Sequence, residues 1–427
     1  MNYRLLLLTL LTPATTWGAE ESVNMANTAW MLTSTALVLF MTLPGLALFY
    51  GGIVRTKNVL SIFMQCFAIT CLVSILWFGF VYSLAFGNGG AMQNWIGGLE
   101  KSLLLGMGVD AVSNGIPETV FSSFQMTFAI ITPTLVIGGF AERIKFSAVL
   151  WFATLWVILV YAPICHWVWG GGWLAKMGFM DFAGGSVVHI NAGMAALVAA
   201  LLLGKRRGFP HTLMMPHNMT MVFTGAAMLW VGWFGFNAGS ALAANGAAGM
   251  AMLVTHMAAA AGSLAWMAME WLRHGKPSIL GIVTGMVAGL GTVTPASGFI
   301  TPIGALIIGL LAGLVCYQAT QLVKRKFFID DSLDVSPVHG VGGVLGTLLT
   351  GLLASPLLGG LGYPSGGGMA AQMDVQLIGV VATMLWSGVF TYLIFKGIDA
   401  TIGLRVSAEE ETEGLDLVFH DEKGYNL

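Results

Sequence analysis

Asp181-Phe182-Ala183-Gly184-Gly185-Ser186-Val187-Val188-His189 sets an acid at the mouth of a strongly apolar segment and an imidazole inside it. The same order recurs at Asp331-Ser332-Leu333-Asp334-Val335-Ser336-Pro337-Val338-His339, again opening an apolar run. An ionisable group inside a membrane span is costly and faces a partner or a cavity, so two copies point to two halves converging on one site. If each helix starts near its Asp, the His lies roughly 12 Å deeper at about 1.5 Å per residue. Helices entering from opposite faces of a core about 30 Å thick then bring both imidazoles toward the midplane.

Composition agrees with a membrane setting. Of 427 residues, 56% are hydrophobic and 9% charged, against about a quarter charged in soluble domains. A net charge of -2 gives no ground for nucleic acid or another polyanion as partner. Cys66, Cys71, Cys165 and Cys316 lie in apolar stretches without a C-x-x-C pair. They read as small buried hydrophobes, with neither a disulfide framework nor a metal site.

Residues 1–19 carry Arg4, an apolar run and then small residues, the pattern of a cleaved signal peptide. Eleven candidate spans follow, near 28–52, 61–86, 119–140, 146–168, 185–204, 217–238, 249–272, 278–296, 301–323, 336–357 and 376–400. The fold class is an all-α polytopic membrane protein. Loops after odd-numbered spans hold twelve basic residues, among them Arg55, Lys57, Arg143, Lys205, Arg206, Arg207 and Lys324; loops after even-numbered spans hold Lys101 and Lys176. Basic residues stay on the cytoplasmic side, so the mature N-terminus lies outside and the C-terminus inside. Spans 1–5 and 6–10 are halves of odd length and run in opposite senses, an inverted repeat to which the final helix is added. The membrane domain takes in 20–405. A cytoplasmic tail, 406–427, carries the acidic stretch Glu409-Glu410-Glu411-Thr412-Glu413 and reads as solvated chain that can dock a regulator.

At the outer side stand Trp167-Val168-Trp169-Gly170-Gly171-Gly172-Trp173 and Trp233-Phe234-Gly235-Phe236-Asn237-Ala238-Gly239-Ser240. A single Trp there is an interfacial anchor. Clustered beside three glycines, Trp169 can wall a vestibule, where an indole face attracts a cation by about 0.5–2 kcal/mol. Ser240 adds a hydroxyl acceptor. Phe124 and Phe128, spaced i, i+4, share one helix face and would form a stacked hydrophobic constriction if that face met a pore. Asp181 and Asp331 suit helix caps, and a capped Asp181 still lends negative potential to a cation site. His189 and His339 either pack or offer a donor and an acceptor to a small polar solute.

Taken with Pro44-Gly45-Leu46-Ala47-Leu48-Phe49-Tyr50-Gly51-Gly52, Ala141-Glu142-Arg143-Ile144, Val338-His339-Gly340 and Glu413-Gly414-Leu415-Asp416, these stretches closely resemble bacterial members of the Amt/Mep/Rh ammonium transporter family. The resemblance covers essentially the whole mature chain. It implies an outer ammonium site of Trp169, Phe128 and Ser240, supported from below by Asp181, with Phe124 and Phe128 as the gate beneath. It implies paired pore histidines at His189 and His339, and Trp233 and Phe236 lining the conduit. It further implies a homotrimer with one pore per subunit, an inner-membrane location in a two-membraned bacterium, and a PII-type partner at the cytoplasmic face. No cofactor is expected. Transport is read as electrogenic, with an electroneutral ammonia channel and an ammonium sensor as alternatives. A sensor would append a signalling domain, and only a short segment follows the last span. A haem between the histidines is the remaining alternative, and a narrow path between two imidazoles leaves no room for a macrocycle. An intramembrane enzyme lacks support, since no nucleophile stands at interpretable spacing from a base.

Overall fold

A backbone in hydrocarbon must satisfy its own N–H and C=O groups, and this chain does so with helices. In the computed structural model, which describes residues 22–364 and 366–426, eleven helices are long and apolar enough to cross a membrane. They are α1 Met25–Ile53, α2 Thr56–Phe86, α3 Glu118–Phe140, α4 Phe146–Lys176, α5 Gly185–Leu203, α6 Met219–Gly239, α7 Gly246–His274, α8 Ile279–Ala296, α9 Pro302–Lys326, α10 Ser336–Leu353 and α11 Gly368–Thr401. The expected signal peptide lies outside the described residues. The last span begins at Gly368, earlier than expected, because the polar Gln372 and Gln376 are buried and donate to the Gly178 and Met180 carbonyls after α4 instead of ending the helix.

Local sequence sets where these helices start. Asn24, Asn218, Asn245, Ser278 and Thr301 each accept a backbone N–H at the head of α1, α6, α7, α8 and α9. Pro44 sits inside α1, where a widened π-helical turn, Met41–Leu46, takes up the missing donor. Two further π turns, Gly185–Ile190 and Ser336–Gly340, open α5 and α10, and these carry the histidines. Where α5 and α10 cross, a Cβ on Gly193 would stand 2.2 Å from the Gly340 Cα, so only glycine permits this backbone-to-backbone approach. The crossing draws the two π turns together.

Two expectations are corrected. Cys71 is exposed on the side of α2 rather than buried, whereas Cys66, Cys165 and Cys316 are buried; an apolar neighbourhood in sequence does not say which face of a helix meets lipid. The acidic tail is not solvated chain. It forms α12 (Ala408–Glu413) and α13 (Leu415–His420), with Glu411, Leu415 and Asp416 buried. Ser407 and Glu410 close a capping box on α12. The Asp416 carboxylate accepts the Leu60 and Ser61 N–H groups at 3.1 and 2.7 Å, capping α2 from another part of the chain. Glu411 accepts from the Arg207 N–H and from Arg405, at 2.7 and 2.8 Å.

Candidate functional site

Asp181 organises the head of α5. Its carboxylate accepts backbone N–H bonds from Gly184, Gly185 and Ser186 at 2.6–2.8 Å and a longer one from Val187 at 3.3 Å. Gly184, at φ +117°, makes the turn that aims these donors back at the acid. The Asp181 carbonyl in turn accepts the Trp169 indole N–H at 2.9 Å, fixing that ring over the mouth of α5. The counterpart at the head of α10 is leaner: among the described residues, the Asp331 carboxylate accepts only from the Ser336 N–H and hydroxyl, at 2.6 and 2.7 Å.

Under Trp169 the rings differ from the expected stack. Phe124 and Phe128 meet edge to face, 5.0 Å apart at 68°. The ring closest to Phe128 is Phe236 of α6, tilted over it at 4.3 Å and 33°. Spacing of i, i+4 places two side chains on one face but does not orient their planes; the facing helix decides that. Trp169 stands on the edge of Phe128 at 5.6 Å and 88°. Ser240 is partly buried, and its hydroxyl donates to the Phe236 carbonyl at 2.8 Å. Phe128 and Phe236 are each 1% exposed, so solvent does not reach the rings at this level.

Below them a ladder of near-parallel rings begins. Phe236 and Trp233 lie over His189 at 6.0 and 5.5 Å, and His189 lies over His339 at 5.2 Å. Nδ1 of His189 and Nδ1 of His339 are 3.1 Å apart, a hydrogen bond that shares one proton between two rings. With both imidazoles neutral, one ring keeps its proton in that bond and leaves Nε2 bare, while the other carries its proton on Nε2. The pair thus presents one acceptor and one donor outward. Nε2 of His189 is buried and has no hydrogen-bond partner among the described residues, so it is free to meet a small polar molecule. The gap beside the pair holds only about 10 Å³, walled by Ile131, Leu135, Leu229 and Val287 with the aromatic rings. Room for one water-sized molecule is what such a volume gives. The 3.1 Å separation excludes a haem between the rings.

A model of the Ammonium Transporter Family matches residues 29–425. The chain belongs to the ammonium transporter family. An ammonium transporter of Aquifex aeolicus is 47% identical over 416 residues, 96% of each chain. One of Bacillus subtilis is 46% identical over 410 residues, 94% of this chain and 99% of its own. Among solved structures, Mep2 of Saccharomyces cerevisiae has a TM-score of 0.82 at 35% identity, covering 90% of this chain and 91% of that one. A protein called Sensor Amt Protein has a TM-score of 0.86 at 30% identity, covering 92% and 98%.

On the side of the pair that carries the basic loops, this ammonium transporter family member opens into a vestibule of about 440 Å³ that reaches His339 and is lined by Arg55, Glu142, Arg206, Lys324 and Arg325. Its wall is a buried ion network that sequence reading did not find. Glu142 accepts from the Arg55 backbone, the Arg55 guanidinium, Asn58 and Arg206 at 2.6–2.9 Å. Arg206 also forks onto Asp330 at 2.7 and 2.9 Å. Burial resists ionisation of Glu142, but Arg206 and Arg55 outweigh it and hold the carboxyl down at about 2. Arg206 is pushed above its ordinary value against its own burial, by Asp330 and Glu142. The signal was an acid, Glu142, inside a loop of the basic side. Thr294 was missed outright: its hydroxyl oxygen accepts the Trp233 indole N–H at 2.9 Å. A threonine in an apolar span carries no mark of that role.

Proposed function

We propose that the protein is an ammonium transporter: it recruits NH4+ at the outer aromatic mouth, takes up its proton at the ring constriction, and passes NH3 through the apolar conduit beside His189 and His339. The observation that carries this reading is the hydrogen-bonded imidazole pair in a gap otherwise walled by apolar and aromatic side chains. Ammonium and potassium are monovalent cations of similar size, so a charged pore sized for one would leak the other. An apolar environment disfavours an ammonium charge and favours loss of its proton. Potassium has no proton to lose and meets the full cost of a low-dielectric path.

In this reading Trp169, Phe128 and Ser240 hold the cation, Asp181 orients Trp169 and supplies negative potential, and Phe128 with Phe236 forms the constriction. Phe124 backs Phe128 from the side. Trp233 holds His189 in plane. The proton travels separately along the imidazole pair, making transport electrogenic. We assign the chain to the inner membrane with its N-terminus outside, two inverted halves, a homotrimeric assembly and a docked cytoplasmic tail, 406–427, as the surface a PII-type regulator would meet.

The test is the transient current in proteoliposomes after an ammonium jump, for the parent and for His189→Ala with His339→Ala. A current in the parent that potassium does not give, lost or made unselective in the double variant, is expected. A silent parent through which ammonia still equilibrates would reassign it as an electroneutral channel. Binding without either flux would favour the sensor alternative.

A further inference from the structure

Four glycines lie in the inner three-quarters of α8, and three of them have a packing reason. A Cβ at Gly281 would meet the Glu270 carboxylate at 2.2 Å, one at Gly285 the Trp266 Cβ at 2.5 Å, and one at Gly289 the Ala258 carbonyl at 2.2 Å. The fourth, Gly291, has none. A Cβ there would have as its nearest atoms Nδ1 of His339 at 3.8 Å and Cδ2 and Cε1 of His189 at 3.9 Å, all ordinary contacts. Its backbone is ordinary helix. An alanine would fit without strain, in a buried helix where glycine is less favourable than alanine.

The position explains what the missing methyl leaves open. Val287, Gly291 and Thr294 are spaced i, i+4, i+7 and so form one stripe of α8. Val287 lines the gap beside the histidines and the inner vestibule, and Thr294 holds the Trp233 indole that stacks on His189. Gly291 therefore sits on the face of α8 that meets both imidazoles, beside the Nδ1 to Nδ1 bond. We infer that Gly291 is a specificity-determining residue: the absence of its side chain keeps a methyl-sized clearance at the histidine pair, which fixes the largest solute that can pass. The clearance suits a solute the size of ammonia and tolerates one extra methyl poorly once it is narrowed.

This inference rests on the transport reading, and the experiment separates the two. Gly291→Ala and, as a packing control, Gly285→Ala are compared with the parent for uptake of ammonium and of methylammonium in the same proteoliposomes. In Gly291→Ala the melting temperature stays at or above the parent's and ammonium transport falls. The methylammonium-to-ammonium ratio falls further by about tenfold or more, the size of a one-methyl discrimination in a closed pocket. The ratio does not depend on how much protein has folded. An unchanged ratio in Gly291→Ala, or an equal change in Gly285→Ala, overturns the inference while leaving transport standing. A parent that moves neither solute overturns both.

Discussion

Thr294 shows how much a single hydroxyl can decide at the histidine pair. It accepts the Trp233 indole N–H, and Trp233 lies 5.5 Å from His189 at 18°, so the threonine sets the plane of the ring that backs the imidazole. Thr294→Val keeps the shape and removes the acceptor, leaving a buried N–H unpaired at a cost of about 1–3 kcal/mol. The expected outcome is a lower melting temperature together with a red-shifted or broadened Trp emission and slower ammonium transport; Thr294→Ser should restore all three. A valine variant with parental transport would reduce Thr294 to packing. The histidines and Asp181 were legible from sequence because an ionisable residue stands out in an apolar run. Thr294 and Gly291 were not, since threonine and glycine are ordinary members of membrane helices and only their neighbours across the interface give them a task.

At the scale of elements, the segments that join the spans on the basic side are welded by the Glu142, Arg206 and Asp330 network, with Arg143 fully buried beneath it and donating to the Gly139 and Asp330 carbonyls at 2.9 and 2.6 Å. The Glu142 carboxyl is held at about 2, below its ordinary 4.5. Its contribution is therefore fully present above about pH 4.5 and is lost as pH falls through about 2. Thermal unfolding in detergent across that range should show the parent losing stability on acidification. Glu142→Gln should start lower at neutral pH by about 3–5 kcal/mol, because Arg206 and Arg55 lose a buried counter-charge, and should then show a shallower acid dependence. Parallel acid profiles for the two proteins would remove Glu142 from this role. The same network explains the tail. Asn58 donates to Glu142 at 2.8 Å and accepts the Leu415 N–H at 2.9 Å, so α13 is fastened to the ion cluster through one side chain. Sequence marked the tail by its charge but gave no sign that Glu411 and Asp416 were already partnered.

For the whole molecule, the loop-charge asymmetry and the placement of the tail make a prediction about sidedness. The tail packs on Lys57 at the head of α2, on Arg207 of a basic loop and on Arg405 after α11, so tail and basic loops share one face. A single cysteine at Lys423, in a variant lacking the four native ones, should react with a membrane-impermeant thiol reagent only after the cytoplasmic face is opened. One at Asp110, between α2 and α3, should react from outside in intact cells. The opposite pattern would invert the topology, and with it the assignment of Trp169 to the outer mouth.

Sequence alone determined the class, the number of spans and the two histidine-bearing segments, because hydrocarbon punishes an unpaired backbone and a stray charge severely enough to leave both written in composition and spacing. It did not determine which rings meet beneath Trp169, since Phe128 finds its nearest ring partner, Phe236, on another helix. Nor did it show that His189 and His339 share a hydrogen bond. That required the close crossing of Gly193 and Gly340, a contact between residues far apart in the chain, and only the packed helices bring it about.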